Sequence, residues 1–434
     1  MTFQQYTWEW NNLYSYKKGR TLLLNLCFKD IAEFEKQFDG YYPTDQCECG
    51  GNFEIEISTA QVQIADKTIT VNECPVQKCQ KCGKQFIGHR IPPNIYQTYH
   101  QFQSHPGNNI CMMSIRSDIR FEYAKKADFK YDSRDLNIPG CDVDMDPTNT
   151  EGFSLPVYFD RKVLNNFYTD DDYELDFFSE SYGDIGKKGT NGWPYEWKIP
   201  FGIDANDKVI LFLGDLDQIE DDRSIMFLKS YNVPSDHILV ETELYQAQLK
   251  CIFSQPIIEE RIILLRDGFY KKVNRCYGID LSHLENEINE KRTTITKPVS
   301  YTEREVSGNI VALDGILNEG ISQDGLKELC KAVGVTDNLK GLRTRKLLQA
   351  VIATKEGAEK AAAIVAPLFR LNDLRVCFAH LLPADDIQKA KERIVETYKL
   401  DSFTEYRKLY EALMNELYEL YKYLNVAEFG NTCT

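Results

Sequence analysis

The sequence has no apolar run long enough to cross a bilayer, and its opening, MTFQQYTWEW, lacks the basic and apolar regions of an export signal. A cytoplasmic setting without membrane partners is therefore expected. Positive charge is also short: 51 Lys and Arg stand against 66 Asp and Glu, a formal net charge of -15. That balance opposes a broad phosphate-binding surface, though a local basic patch can still work against the net field. Histidine is scarce, with six in 434 residues. No GxxxxGK[ST] phosphate loop, no GxGxxG opening a helix and no HExxH occurs. Familiar ATPase, nucleotide-coenzyme and zinc-protease chemistries are not expected.

What is present is enough for a sizeable core. A hydrophobic fraction of 43% and an aromatic fraction of 12% argue against a mainly disordered chain, and the length suggests two to four domains. Thirteen cysteines are an odd number, unevenly spread, which fits reduced thiols plus a metal site better than disulfide staples. Five of them fall in DQCECGGNFEIEISTAQVQIADKTITVNECPVQKCQKCGKQF. Cys79 and Cys82 form a CxxCG knuckle, whose glycine permits the tight turn around a metal. Cys47 and Cys49 supply an opposing pair, with Cys74 as a further candidate. Between them NFEIEIS, VQIA and TITVNE alternate apolar with polar residues and read as short strands. Two thiolate pairs at the ends of an antiparallel ribbon make a zinc-ribbon arrangement. Four thiolates favour zinc by softness, with iron the alternative, and such a closed site is structural, not catalytic.

The stretch ITVNECPVQKCQKCG resembles the small zinc-binding domain at the front of certain bacterial antitoxins of the YgiT type. The resemblance implies a folded recognition or scaffolding module over about a tenth of the chain. The usual first knuckle of that family is CxxCG, whereas here Cys47-Glu48-Cys49-Gly50 is one residue shorter. The fourth ligand thus stays open between Cys47 and Cys74.

Before the ribbon, RTLLLNLCFKDIAEFEKQF starts strand-like and becomes helix-like. After it, His89, His100 and His105 are close in sequence, but their spacing matches no metal pattern, and surface or capping roles are expected. In the central region the strand VILFLGDLDQI ends in Asp215 and Asp217, which either bind magnesium or cap the following turn or helix. Glu241 and Glu243 lie further on without the lysine that a Glu-x-Lys nuclease core would place two residues later. Residues 285 to 308 are polar and read as the boundary with the last domain.

From about residue 309 the apolar period becomes helical. SQDGLKELCKAVGV opens with a Ser/Asp cap signal, and Pro367 either kinks a helix or starts a new one. In the last segment Phe403, Tyr406, Leu409, Leu413, Leu417, Leu420 and Leu424 recur at steps of three and four, one broad buried stripe facing its own bundle or a partner subunit. Within the bundle, LFRLNDLRVCFAHLLP carries Arg375 and His380 five positions apart, roughly 140° around an ideal helix, so the two do not share a face. They either serve a cleft together, or Arg375 makes a bundle salt bridge while His380 caps the helix end.

The segment RVCFAH resembles the Rx4-6H signature of HEPN domains, helical bundles that commonly dimerise and often act as metal-independent ribonucleases in toxin and phage-defence systems. The resemblance implies that Arg375 holds the scissile phosphate and that His380 transfers a proton while the ribose 2′-hydroxyl attacks. Guanidinium geometry and the imidazole's titration range suit those roles. Val376 stands where active members often carry a polar residue.

The expectation is an α+β multidomain chain: an α/β flank over 1–45, a zinc ribbon over 46–90, a mixed central region over 91–290 and a HEPN-like helical bundle over 309–434. The leading function is a phage-defence or toxin-type effector cleaving RNA through Arg375 and His380. Its metal would be structural zinc on Cys47, Cys49, Cys79 and Cys82, its trigger a phage or host protein, and its assembly a homodimer through the C-terminal helices. The alternatives are a non-enzymatic zinc-stabilised sensor or scaffold, and a magnesium-dependent nuclease in the central region.

Overall fold

The computed structural model describes residues 23–38, 44–113, 119–121, 128–142, 152–190, 192–379 and 383–429. The fold is α+β and multidomain, with two sheets and a helical C-terminal region. Two compact units divide the chain. The first holds the residues up to Tyr158 together with Phe212–Asp217 and Pro234–Glu241; the second holds the remainder.

In the first unit, β1 (Leu23–Phe28) and α1 (Ile31–Phe38) precede β2 (Phe53–Ile64), β3 (Lys67–Cys79), β4 (Gln85–Ile87), α2 (Pro92–Phe102) and β5 (Asn109–Met113). The strand-then-helix character of the flank is as its sequence suggests. The ribbon differs: the segments read as short strands merge into one long hairpin, β2 and β3 pairing antiparallel from Phe53↔Cys79 to Ile64↔Lys67. A register shift between Ser58 and Ala60 absorbs the irregularity that interrupts the sequence alternation. Strand β1 adds parallel to β2, while β4 and β5 take different stretches of β3. Val62, Ile64, Ile69, Val71 and Val76 are buried on the core face beneath α1 and α2 residues such as Phe34 and Ile95. A 3-10 turn (Ser133–Asn137) follows, and β6 (Pro156–Asp160) carries the chain out of this unit.

The second unit begins with the end of β6 and α3 (Val163–Tyr168) and continues through β7 (Tyr173–Phe177), β8 (Tyr182–Lys188), β9 (Tyr195–Ile203) and β10 (Lys208–Phe212). Strands β7 to β10 form successive antiparallel hairpins, the last closing at the turn Asp204–Asp207. The strand expected over VILFLGDLDQI stops at Phe212 and passes directly into the short α4 (Leu213–Asp217). Gly183 in β8 has no room for a side chain, since a Cβ there would lie 2.0 Å from the Asp176 carbonyl oxygen of β7. Gly183→Ala is expected to lower stability by about 1–3 kcal/mol through forced strand separation, read from the denaturant midpoint.

After α5 (Asp222–Tyr231), β11 (Asn232–Val233) and α6 (Glu243–Gln248) the chain is helical: α7 (Ile258–Tyr277), α8 (Glu285–Thr293), α9 (Glu303–Asp314), α10 (Gln323–Ala332), α11 (Thr344–Glu356), α12 (Ala358–Ala379), α13 (Ala384–Tyr398) and α14 (Tyr406–Val426). Residues 285–308, whose polarity suggests a domain boundary, form α8, a short connection and the start of α9. The charged surface of α8 hides a single buried apolar anchor, Ile288. One core runs from Ile262 of α7 to Phe429, so the helical packing starts well before residue 309. Ser322 caps α10 by accepting from the Gly325 amide, as its sequence signal implies. Pro367 lies inside the continuous α12. The stripe Leu409, Leu413, Leu417, Leu420 and Leu424 is buried in the chain's own core.

Candidate functional site

Four cysteines from two knuckles meet at the end of the β2–β3 hairpin. The Sγ atoms of Cys47, Cys49, Cys79 and Cys82 all lie within 4.8 Å of one another. Strand pairing brings them together: Phe53 opposite Cys79 sets the first knuckle across from the second, and Cys79 accepts the chain from β3 just before it turns. Gly50 and Gly83, with φ of +75° and +74°, each follow a knuckle and supply the left-handed turn that side-chain-bearing residues resist. Gly51 is needed for a different reason, since a Cβ there would sit 2.7 Å from the Cys79 sulfur. Cys47 and Cys79 are buried, while Cys49 is half-buried and Cys82 exposed. Phe53 and Phe86, packed edge to face at 5.3 Å, cover the buried side.

The donors fit a tetrahedral ion. With metal–sulfur bonds of about 2.3 Å, tetrahedral geometry asks for sulfurs roughly 3.8 Å apart. Here Cys47 and Cys82 stand at 3.6 Å and Cys49 and Cys79 at 3.5 Å. Burial opposes ionisation of Cys79, but the Cys82 and Lys81 amides and neighbouring thiols outweigh it and bring its pKa down to about 6. Cys47 is pushed the other way, to about 12, chiefly by burial. Cys79 is thus the thiol favoured to ionise by its surroundings, and because a cation displaces thiol protons on binding, affinity rises with pH.

Cys74, the open alternative, is not part of this cluster. It is fully buried in the core of the five-stranded sheet among Val71, Val76 and Ile87, and burial raises its pKa to about 12. The three neighbouring histidines also lie outside the cluster. His89 Nε2 meets Asp142 at 2.7 Å, His100 packs against Tyr96 and Tyr99, and His105 Nδ1 accepts from the Gly107 amide. Asp215 is buried within α4, and burial raises its pKa to about 6. Neither it nor Glu241 belongs to a metal-holding cluster; among the described residues the four cysteines form the one such group.

In the helical region, Arg375 on α12 reaches across to α9 and the π-helical turn Gly315–Glu319 that extends it. Its guanidinium lies 3.3 Å from Asp314 and 3.0 Å from Glu319. Asp314 is buried, which raises its carboxyl pKa; a hydrogen bond from Asn318 and the Arg375 charge pull the other way. The Asp314–Arg375 contact has an ion-pair distance without hydrogen-bond alignment, leaving the facing oxygen of Asp314 without a donor. Arg345 of α11 is nearby and half-buried, and desolvation lowers its pKa against the pull of Asp314 and Asp373. His380, the second residue of the motif, lies outside the described residues. No spacing rule links Arg375 to carboxylates some sixty positions upstream, and sequence reasoning did not find them.

The fold and site thus define an α+β multidomain protein with a four-thiolate cluster suited to a structural metal. Neither family models, nor curated proteins, nor solved structures yield a match to this chain. No helix among the described residues is long and apolar enough to cross a membrane.

Proposed function

We propose that this protein is a non-enzymatic recognition or sensor protein whose ribbon is held by structural zinc on Cys47, Cys49, Cys79 and Cys82. The observation that carries the reading is the engagement of Arg375 by Asp314 and Glu319. Around that arginine three guanidinium groups, Arg375, Arg345 and Arg343, are balanced by three carboxylates, Asp314, Glu319 and Asp373. An RNA phosphate would have to displace carboxylates already in place, at a site with no surplus of positive charge. For zinc, support comes from donor softness and from sulfur spacing near the tetrahedral requirement. The YgiT-type and HEPN resemblances suggest a setting in bacterial toxin or phage-defence systems, with a phage or host protein as trigger. A homodimer through the C-terminal helices would use a face other than the leucine stripe, which the core occupies.

A second reading, metal-independent RNA cleavage by Arg375 and His380, draws on the partial exposure of Arg375 at 28% beside a second arginine. Labelled RNA incubated with the protein in chelator separates the two. The proposed function expects intact RNA; cleavage that persists in chelator and vanishes in both Arg375→Ala and His380→Ala would establish the ribonuclease instead. Cleavage that requires magnesium and is lost in Asp215→Ala would point to the central region.

The same arginine makes a stability prediction. Arg375→Ala strands the buried Asp314 carboxylate and should cost about 1–3 kcal/mol, tempered by the partial exposure of the pair. Adding Asp314→Asn should recover part of that loss in urea unfolding. An unchanged midpoint in Arg375→Ala would remove the structural role assigned to the ion pair.

A further inference from the structure

The segment Pro234–Glu241 belongs to the first unit although the chain on both sides of it belongs to the second. Several of its anchors are polar and titratable. On the 3-10 turn, the fully buried Asp135 accepts from two residues of the segment, Ser235 Oγ at 2.8 Å and His237 Nδ1 at 2.6 Å. On β2, the buried Glu54 carboxyl accepts the Leu239 and Glu241 amides at 3.3 and 3.4 Å. From β6, the Tyr158 hydroxyl donates to the Ile238 carbonyl at 3.2 Å. Leu239 and Val240 supply the apolar contact. His237 is held at a φ of +66°, a left-handed conformation that L side chains resist and that persists while these bonds hold it.

We propose that Pro234–Glu241 is a proton-linked clasp, docked on the first unit through Asp135–His237 and Glu54 and loosened as pH rises from mildly acidic to mildly alkaline. Both titrating anchors pull in the same direction. Burial opposes charge on His237, but Asp135, with Asp132 behind it, outweighs burial and the nearby Arg134, so its pKa is raised. A raised pKa means that docking is strongest below the free histidine value of 6.5 and weakens as pH rises through the docked value. Burial likewise raises the Glu54 carboxyl, to about 8, against the two amides; Glu241 and Asp236 add like-charge repulsion. Docking through Glu54 is therefore strongest below 4.5 and declines as pH rises to about 8. Once ionised, Glu54 faces Asp236 and Glu241 on the very segment it holds. Asp135 also lies near Tyr158, as do Asp236 and Glu54, so the surround is mainly acidic, with His237 and Arg134 as the cations facing it.

The test is amide hydrogen exchange on the zinc-loaded full chain at pH 6, 7 and 8, expressed as protection factors for peptides covering 235–241. Wild-type protection there should fall by at least about tenfold between pH 6 and 8, more steeply than in the sheet core. Glu54→Gln, a neutral isostere of the protonated acid, should flatten most of that dependence, and His237→Gln the rest. Loss of metal would act with the opposite sign, since thiolates bind best at high pH. Protection independent of pH in the wild type overturns the clasp, whether or not the variants fold. An undiminished slope in a folded Glu54→Gln overturns the part assigned to Glu54.

Discussion

Cys79→Ser is expected to empty the cluster and melt the end of the β2–β3 hairpin. Cys79 is buried, has its pKa lowered to about 6 and receives the Cys82 amide at 3.4 Å, so it is placed to serve both as a ligand and as the hinge of the second knuckle. Serine keeps the volume but offers a far weaker zinc donor. Structural zinc sites of this kind carry apparent binding free energies of about 10–16 kcal/mol, nearly all of it folding free energy of the small domain. Elemental analysis of the purified wild type should find one zinc per chain, and the variant essentially none. The first unit's thermal transition should drop or disappear, as it should when a strong chelator strips the wild type. Cys74→Ala is the control: it should keep its zinc and lose only about 1–2 kcal/mol for the small cavity left in the sheet core. Full zinc content in Cys79→Ser, or zinc lost from Cys74→Ala, would refute this ligand assignment. Iron in place of zinc would show as a visible thiolate absorption band.

Leu413→Ala carries the second large effect. Leu413 is fully buried midway along α14, within the core that joins α14 to α7, α9 and α12. Truncation removes transfer free energy and leaves a cavity that surrounding helices fill only in part, a loss of about 2–5 kcal/mol. Val426, 74% exposed at the end of the same helix, should tolerate alanine with little change. Because the chain has two compact units, unfolding is best followed by probes in each, and Leu413→Ala should shift only the second-unit transition. Equal shifts for Leu413→Ala and Val426→Ala would mean that the leucine stripe is not a core.

Local chemistry made part of the site legible. A knuckle of the form CxxCG announces its ligands because the glycine and the spacing are both properties of a short peptide. Alternation along β3 also separates two of the cysteines. Cys74 and Cys79 are five residues apart in one strand, so they point to opposite faces and lie roughly 16 Å apart. The leucine stripe of α14 was equally readable, since helical period and burial coincide. The polar stretch 285–308 misled because helix α8 meets the core through one residue, too little to register as periodicity.

By itself, then, the sequence determined what depends on neighbours within a few positions: the second knuckle, the cap of α10 and the amphipathic helices. Tertiary structure decided that the two knuckles meet, through the pairing of Phe53 with Cys79. It also decided that Arg375 faces Asp314 and Glu319, and that His237 meets Asp135 from 102 positions away. Such contacts leave no mark in the local pattern, because burial and charge pairing are settled by which surfaces packing brings together, and packing is non-local.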